Sequence, residues 1–320
     1  MTQNTAIDVE NLYILMSSKK PLLICVVGPT AIGKTALAIE IARAFSTEIV
    51  SADSRQFFQE MNIGTAVPSV EELALVPHHF IQQISITENY SVGDFERDAL
   101  QTLDTLFKKK DVAVMVGGSG LYVDAVVKGL DTFPEVPSEI RNQLTKELEE
   151  NGLEALQKEL EKVDPTYYKT IDFQNPRRIT RALEIYRTTG NPYSTYIRSK
   201  PAARNFNTIY IGIRADRKII YDRINQRVDI MMDHGLLNEA EKLYEHRDLN
   251  ALQTVGYREL FQYFDGAFSL AEAVSEIKKN TRRFAKRQLT WLRKNEAIHW
   301  IDFPVHVSEV ITQIKAKNTL

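Results

Sequence analysis

Eight consecutive residues combine glycines, a lysine and a threonine in the order of a phosphate-binding loop. They are Gly28, Pro29, Thr30, Ala31, Ile32, Gly33, Lys34 and Thr35, and they fit G-x-x-x-x-G-K-[ST] at every position. Glycines let backbone N–H groups turn towards phosphate oxygens, and a following helix directs its N-terminus at the same anion. Lys34 supplies a mobile positive charge, and the Thr35 hydroxyl suits Mg²⁺. The pattern predicts bound phosphates without specifying a nucleotide.

Two further polar side chains follow apolar runs that have the composition of buried strands. Asp53 comes directly after residues 48–52, and Ser119 follows residues 112–116 and two glycines. In an open parallel sheet, ligands bind beyond the carboxyl ends of the strands, so we expect Asp53 near the phosphate-binding loop. The glycines before Ser119 permit a close approach of the backbone to a ligand, which its hydroxyl could contact. A carboxylate there can accept a proton from a nucleophile or bind Mg²⁺ through water. The alternative is that these residues only shape tight turns.

The elements that would position these groups alternate between strands and helices. Helical periodicity at residues 35–45 follows the first apolar run, and a second helix is expected after a cap predicted at Ser91. Such alternation is typical of a doubly wound parallel sheet, here the α/β fold of P-loop proteins. The predicted strands are Leu22–Val27, Glu48–Ala52, Val112–Val116 and Thr208–Ile213, with a last short one at Trp300–Phe303.

The pattern changes between Leu130 and Arg204, where only helices are predicted, at residues 139–160 and 178–188. We interpret residues 130–204 as a helical insertion domain between two strands of a catalytic core that comprises residues 1–129 and 205–320. The core then continues mainly as helices, predicted at Lys218–Asp233, Leu236–His246, Glu259–Phe264 and Ala271–Arg293.

The charge distribution is uneven although the formal net charge is only -2. Residues 175–204 contain seven basic side chains against the single acid Glu184, and residues 276–294 contain eight against Glu276. Two such segments in a near-neutral protein favour a localised site for a polyanion. The alternative is a pair of solvated helix faces.

The predicted cellular location follows from the lack of a disulfide, a signal peptide and a membrane span in the sequence. Cys25 is the only cysteine and lies in an apolar run, so we interpret it as a core residue rather than a nucleophile. The first 21 residues show neither the basic segment nor the apolar stretch of a signal peptide, and no window approaches a membrane span. We expect a cytoplasmic protein.

An ordered set of segments resembles the bacterial tRNA dimethylallyltransferases, also called tRNA delta(2)-isopentenylpyrophosphate transferases. The segments run in family order over nearly the whole chain, which makes the resemblance far more specific than a phosphate-binding loop alone. They are GPTAIGKT from Gly28, SADSRQ from Ser51, MNIGTAVPS from Met61, PHHF from Pro77, YSVGDF from Tyr90, GGSGLY from Gly117, NPRRITRALEIYRTTG from Asn175, RINQRV from Arg223, QTVGYRE from Gln253 and NTRRFAKRQLTWLR from Asn280.

The resemblance implies a prenyl transfer to tRNA. The dimethylallyl group of dimethylallyl diphosphate would move to N6 of the adenosine on the 3′ side of the anticodon, in tRNAs that read codons beginning with U, and diphosphate would leave. The loop at residues 28–35 would then hold the prenyl diphosphate, with Mg²⁺ near Thr35, and Asp53 would be the general base. The family uses this loop for a prenyl diphosphate rather than for phosphoryl transfer, and ATP binding to the loop is left open. The resemblance also suggests a monomer, and nothing in the sequence argues otherwise.

The resemblance also implies which residues meet the tRNA and the leaving group. Arg223 or Arg227 would be the cation that meets the diphosphate, with Arg223 preferred. The implied tRNA contacts are Asp53, Ser54, Arg55, Gln56, Ser119, Arg141, Arg177, Arg178, Ile179, Thr180, Arg181, Thr254, Val255, Gly256, Tyr257 and Arg258. Ser119 stands where many members carry Thr, which retains the hydroxyl.

Two other functions fit the loop by itself. A small-molecule kinase would use it for ATP, but the strand at residues 112–116 ends in glycines rather than in the acid of a nucleotide hydrolase. An RNA-binding protein without turnover would not need the carboxylate of Asp53. The two basic segments argue against the first alternative, and Asp53 argues against the second.

Overall fold

The computed structural model describes residues 20–197 and 201–315. The start of the chain, for which no signal peptide is predicted, lies outside the described residues, as do Arg198 and Lys200 of the first basic segment. The described residues contain no helix that combines the length and the apolar character needed to cross a membrane.

Six parallel strands form one sheet, and this confirms the predicted doubly wound α/β fold. The spatial order is β3-β2-β4-β1-β5-β6. Neighbouring strands pair in parallel throughout, for example β1 with β4 and with β5. The strands are β1 (Leu22–Val27), β2 (Ile49–Ser51), β3 (His78–His79), β4 (Val112–Gly117), β5 (Asn207–Arg214) and β6 (Ile298–Asp302).

The central strands form because their side chains are buried on both faces of the sheet. All six residues of β1 are buried, with alternate side chains in two different cores. Ile24 and Val26 pack on one face, whereas Leu23 and Cys25 pack on the other. Burying an aliphatic side chain of this size contributes about 1.5–3 kcal/mol. The strand therefore reads as a continuous apolar run rather than an alternating one.

Helices cover both faces of the sheet. The Ser91 cap is confirmed, because its hydroxyl accepts a hydrogen bond from the Asp94 backbone N–H at 3.2 Å. In this first unit the helices are α1 (Lys34–Ala44), α2 (Val70–Leu75), α3 (Val92–Phe107) and α4 (Gly120–Lys128). After the second unit they continue as α8 (Arg217–Asp233), α9 (Leu236–Lys242), α10 (Tyr257–Phe264), α11 (Leu270–Leu292) and α12 (Val307–Lys315).

The chain divides into two compact units, and the second, Gly129–Ala202, interrupts the first. The second unit contains α5 (Ser138–Val163), α6 (Pro165–Tyr168), α7 (Pro176–Thr189) and a 3₁₀ turn at Tyr193–Tyr196. Its own core includes Leu144, Leu160 and Leu183. Arg187 reinforces it through ion pairs with Glu147 at 2.7 Å and Glu159 at 2.5 Å.

The strand order brings three carboxyl ends together. Because β4 lies between β2 and β1, the segments that begin at Asp53, Gly118 and Gly28 emerge side by side. A Cβ atom on Gly117 would lie 2.4 Å from the Ala52 carbonyl oxygen, so only glycine permits β2 and β4 to end this close. This edge of the sheet is where a parallel α/β fold binds its ligand.

Candidate active site

A cavity of about 550 Å³ opens at this edge, entirely within the first unit. One wall carries Lys34 and Thr35 of the phosphate-binding loop, and another carries Asp53 and Ser119. Apolar side chains from α8 and α11 line a third wall, among them Met231 and Ile277. The cavity therefore combines an anion-binding end, a carboxylate and a hydrophobic surface.

The phosphate-binding loop leads directly into α1. Gly33 precedes the helix with a φ of 99°, a left-handed conformation that favours glycine. The Lys34 ammonium donates to the Pro29 carbonyl oxygen at 2.8 Å, and the Thr30 backbone N–H donates to Gln288 Oε1 at 2.8 Å. The loop is thus stabilised by a hydrogen bond from its own lysine and by a hydrogen bond to a glutamine of α11.

Asp53 lies near three cations, Lys34, Arg55 and Arg227. Burial raises the pKa of Asp53, and the Arg55 backbone N–H, Lys34, Arg55 and Arg227 oppose that rise. Burial likewise lowers the pKa of Lys34 to about 8, against the opposing influence of Asp53. A carboxylate with a raised pKa is a stronger base, and the nearby cations favour its ionised form.

The two arginines of α8 occupy different environments. Arg223 donates from Nε to the Ala31 carbonyl oxygen at 2.7 Å and stacks over Phe303 at 4.7 Å. Arg227, one helical turn later, lines the cavity, whereas Arg223 does not. Arg227 thus lies near Lys34 and Asp53, and Arg223 contacts the loop itself at Ala31. Burial lowers the pKa of Arg227, with a further contribution from Arg223.

The segment that follows Asp53 lies on the cavity wall. The Ser54 backbone N–H donates to Ser119 Oγ at 3.3 Å, which joins the ends of β2 and β4. Arg55 donates to the carbonyl oxygens of Asn250 and Ala251 at 2.9 and 3.0 Å. Gln56 donates to the Thr65 and Ala66 carbonyl oxygens at 3.2 and 2.9 Å. These side chains line the cavity and also brace its walls.

The predicted segment Thr254–Arg258 reaches the cavity except at one residue. Thr254, Val255, Gly256 and Arg258 line it. Tyr257 is instead completely buried, and its hydroxyl donates to Glu239 Oε1 at 2.6 Å. Its side chain supports the segment rather than facing the cavity.

The remaining predicted contact residues belong to the second unit. Arg141, Arg177 and Arg178 are exposed on it, whereas Ile179 is completely buried in its core. Arg181 donates to Glu184 at 2.9 Å, and the Thr180 hydroxyl donates to the Pro176 carbonyl oxygen at 3.0 Å. Part of the first basic segment is thus committed to internal ion pairs and hydrogen bonds.

Sequence reasoning missed two residues that organise the cavity. Gln288 donates from Nε2 to the Gly118 carbonyl oxygen at 2.9 Å while accepting from Thr30, so it joins the loop to the end of β4. Glu239 accepts from the backbone N–H groups of Ile63 and Gly64 at 2.8 and 2.9 Å, which fixes a loop on the cavity wall. Glu239 lies in none of the quoted motifs. Gln288 lies within NTRRFAKRQLTWLR, but nothing in that pattern distinguishes it from its neighbours.

The sequence model of the family described as IPP transferase matches residues 56–295, about three quarters of the chain. The chain belongs to the IPP transferase family. A protein of Christiangramia forsetii named tRNA dimethylallyltransferase is 59% identical over 92% of this chain and 98% of the relative. A protein of Flavobacterium psychrophilum with the same name is 54% identical over the same shares.

Solved structures of IPP transferases share this architecture. The tRNA isopentenylpyrophosphate transferase of Bacillus halodurans is 36% identical, covers 93% of this chain and 98% of its own, and superposes with a TM-score of 0.69. A eukaryotic dimethylallyltransferase acting on tRNA, 23% identical and with a TM-score of 0.78, covers 93% of this chain and 77% of its own, and shows the same fold. The resemblance on which the sequence analysis relied is therefore confirmed.

Proposed function

We propose that this protein transfers the dimethylallyl group of dimethylallyl diphosphate to N6 of the adenosine 3′ to the anticodon of tRNAs reading codons that begin with U. The observation that carries the proposal is one cavity in which a phosphate-binding loop, a carboxylate and an apolar wall meet. The names of the curated relatives support the same reaction. A kinase is not favoured, because β4 ends in glycines and not in an acid.

The diphosphate would lie on the loop between Lys34 and Arg227. As the C–O bond to the prenyl carbon breaks, its electron pair leaves with the diphosphate, and the two cations stabilise the charge that develops there. The apolar surface from α8 and α11 suits the five-carbon chain, with Met231 and Ile277 as examples. A dry wall on that side also keeps water from the reactive carbon.

Asp53 would accept the proton that N6 loses as the new C–N bond forms. An aryl amine is a weak nucleophile, so general-base assistance matters, and it is worth about 10²–10⁴ in rate. The base must leave its stack to reach the cavity, and a single-stranded anticodon loop lowers the cost of that extrusion. Ser54, Gln56 and Ser119 line the cavity together with Asp53 and would supply polar atoms for the adenine edge.

The cavity also offers one ligand for a divalent cation, because Thr35 lines it beside Lys34. Within residues 20–197 and 201–315, no three side chains of His, Cys, Asp or Glu are grouped so that they could hold a metal ion by themselves. A cation bound here would take most of its ligands from the diphosphate and from water, as Mg²⁺ prefers. Mg²⁺ held through Thr35 would supply further positive charge to the leaving diphosphate.

A transfer assay with two labelled donors tests the proposal. Purified protein is incubated with Mg²⁺ and unmodified tRNA, together with labelled dimethylallyl diphosphate in one tube and γ-labelled ATP in another. We expect label in tRNA from the prenyl donor alone, and none in a matched tRNA that carries guanosine 3′ to the anticodon. ATP turnover without prenyl transfer would overturn the proposal in favour of a kinase.

A further inference from the structure

The carboxylate of Glu239, on α9, accepts hydrogen bonds from two separate segments of the chain. Its Oε2 accepts from the backbone N–H groups of Asn62 and Ile63 at 3.2 and 2.8 Å. Its Oε1 accepts from the Gly64 backbone N–H at 2.9 Å and from the Tyr257 hydroxyl at 2.6 Å. An ionised carboxylate only accepts hydrogen bonds, so its two oxygens match these four donors. Glu239 does not itself line the cavity.

Both segments continue into the wall of the cavity. Gly64, Thr65 and Ala66 line it on the first segment, and residues 254–256 line it on the second. The two segments also pack closely, because a Cβ atom on Gly64 would lie 2.6 Å from the hydroxyl oxygen of the buried Tyr257. One carboxylate therefore joins two parts of the cavity wall that are far apart in the sequence.

The first of these segments is also connected to the turn that carries Asp53. The Gln56 side chain donates from Nε2 to the carbonyl oxygens of Thr65 and Ala66 at 3.2 and 2.9 Å. The Gln56 backbone N–H donates to the Asp53 carbonyl oxygen at 3.1 Å. A connected set of hydrogen bonds thus runs from Glu239 through residues 62–66 to Asp53, and a displacement of this segment would reach the carboxylate.

We infer that Glu239 is a positioning residue for the transfer, which joins residues 62–66 and 254–256 into one wall and so fixes the place of the acceptor adenine relative to Asp53. A general base must lie within hydrogen-bonding distance of the proton that it accepts. A displacement of about 1 Å caused by a distant substitution can lower the rate about 10²-fold. The inference rests on the proposed function for the identity of the acceptor.

Glu239→Gln tests the inference with almost no change in side-chain size. In either orientation of the amide, its NH₂ group faces at least one backbone N–H of residues 62–64, which then loses its acceptor. The single-turnover rate at saturating tRNA and dimethylallyl diphosphate should fall roughly 10²-fold, while the Kd for inorganic diphosphate stays at the wild-type value. The matched control is Glu241→Gln, the same change at an exposed position of α9, which should transfer at the wild-type rate.

Tyr257→Phe tests the connection between the two segments. It removes one hydroxyl and leaves the three backbone hydrogen bonds to Glu239 in place, so it also serves if Glu239→Gln does not fold. Its single-turnover rate should fall roughly tenfold, because a hydrogen bond to a charged group is lost. Since both substitutions break the same link, the double variant should lose less than the product of the two single losses. A wild-type rate in Tyr257→Phe, or independent losses in the double variant, would overturn the link.

Hydrogen exchange tests the same contacts without the reaction. The backbone amides of residues 62–64 should exchange faster in Glu239→Gln than in Glu241→Gln, as mass spectrometry of a peptide covering this segment would show. Faster exchange together with a wild-type transfer rate would overturn the positioning role and leave the transferase intact. Unchanged exchange would overturn the inference at its origin, the hydrogen bonds to Glu239. If the wild type transfers no prenyl group to tRNA, the proposed function fails, and exchange alone decides whether Glu239 fixes the segment.

Discussion

Gln288→Ala is predicted to destabilise the phosphate-binding loop, because Gln288 is the bridge between that loop and β4. The side chain is only 7% exposed and makes one hydrogen bond to Thr30 and one to Gly118, at 2.8 and 2.9 Å. Each bond contributes about 1 kcal/mol net, so removal of both costs about 2 kcal/mol. In a folded unit of this size, that loss lowers the melting temperature by roughly 4–8 °C.

Thermal unfolding of three variants checks this prediction. Gln288→Glu keeps the acceptor for Thr30 but cannot donate to Gly118 when ionised, so it should be destabilised as well at pH 8. The matched control is Gln101→Ala on the exposed surface of α3, where a substitution changes stability by less than about 0.5 kcal/mol. A melting temperature for Gln288→Ala equal to that of the control would refute the bridge.

Three further predictions concern single side chains. Arg227→Gln should weaken the binding of inorganic diphosphate roughly tenfold or more in calorimetric titration, because a charge-assisted hydrogen bond is lost. Arg223→Gln should mainly lower the melting temperature, because Arg223 holds the loop at Ala31. If Arg223→Gln weakens diphosphate binding more than Arg227→Gln does, the leaving-group role belongs to Arg223. Burial lowers the pKa of His78 below its ordinary value of 6.5, so protonation favours the unfolded chain and stability is lost as the pH falls below that value. Denaturant titrations of His78→Gln should therefore show a shallower acid-side loss of unfolding free energy than the wild type, and equal slopes would contradict this. Cys25 is completely buried, and burial raises the pKa of its thiol. Iodoacetamide should therefore alkylate Cys25 only after denaturation, which mass spectrometry detects. Rapid alkylation of the native protein would contradict the burial of this thiol.

Local patterns predicted the central sheet well. The strand at Leu22–Val27 was predicted with the observed limits, because an unbroken apolar run stops at the glycine of the loop. Asp53 was expected near the loop from the rule for parallel sheets, and the strand order β2-β4-β1 provides the reason. In these cases the local sequence is sufficient to predict where the element or residue lies in the fold.

Short elements were harder to predict. The helices Val70–Leu75 and Gly120–Lys128, the strand His78–His79 and the helix Val307–Lys315 were not predicted. The strand has only two residues, too few for a periodicity. The helix predicted at Leu236–His246 ends at Lys242, and a separate 3₁₀ turn follows at Tyr244–His246.

Long-range contacts were beyond prediction because they depend on how helices pack across the sheet. Gln288 and Thr30 are 258 positions apart, and nothing near either residue indicates the other. Arg223 and Arg227 lie one helical turn apart on the same face, so spacing alone gives them equal claims. The packing of α8 gives them different surroundings, with Arg223 hydrogen-bonded to Ala31 and Arg227 lining the cavity.

The rate of a single turnover in Asp53→Asn tests the central claim most directly. The measurement uses saturating tRNA and dimethylallyl diphosphate, so that it reports the chemical step rather than binding. We predict a loss of about 10²–10⁴ relative to the wild type, with the Kd values for tRNA and for diphosphate nearly unchanged. A wild-type rate in Asp53→Asn would show that N6 loses its proton to another group and would contradict the assignment of Asp53 as the base.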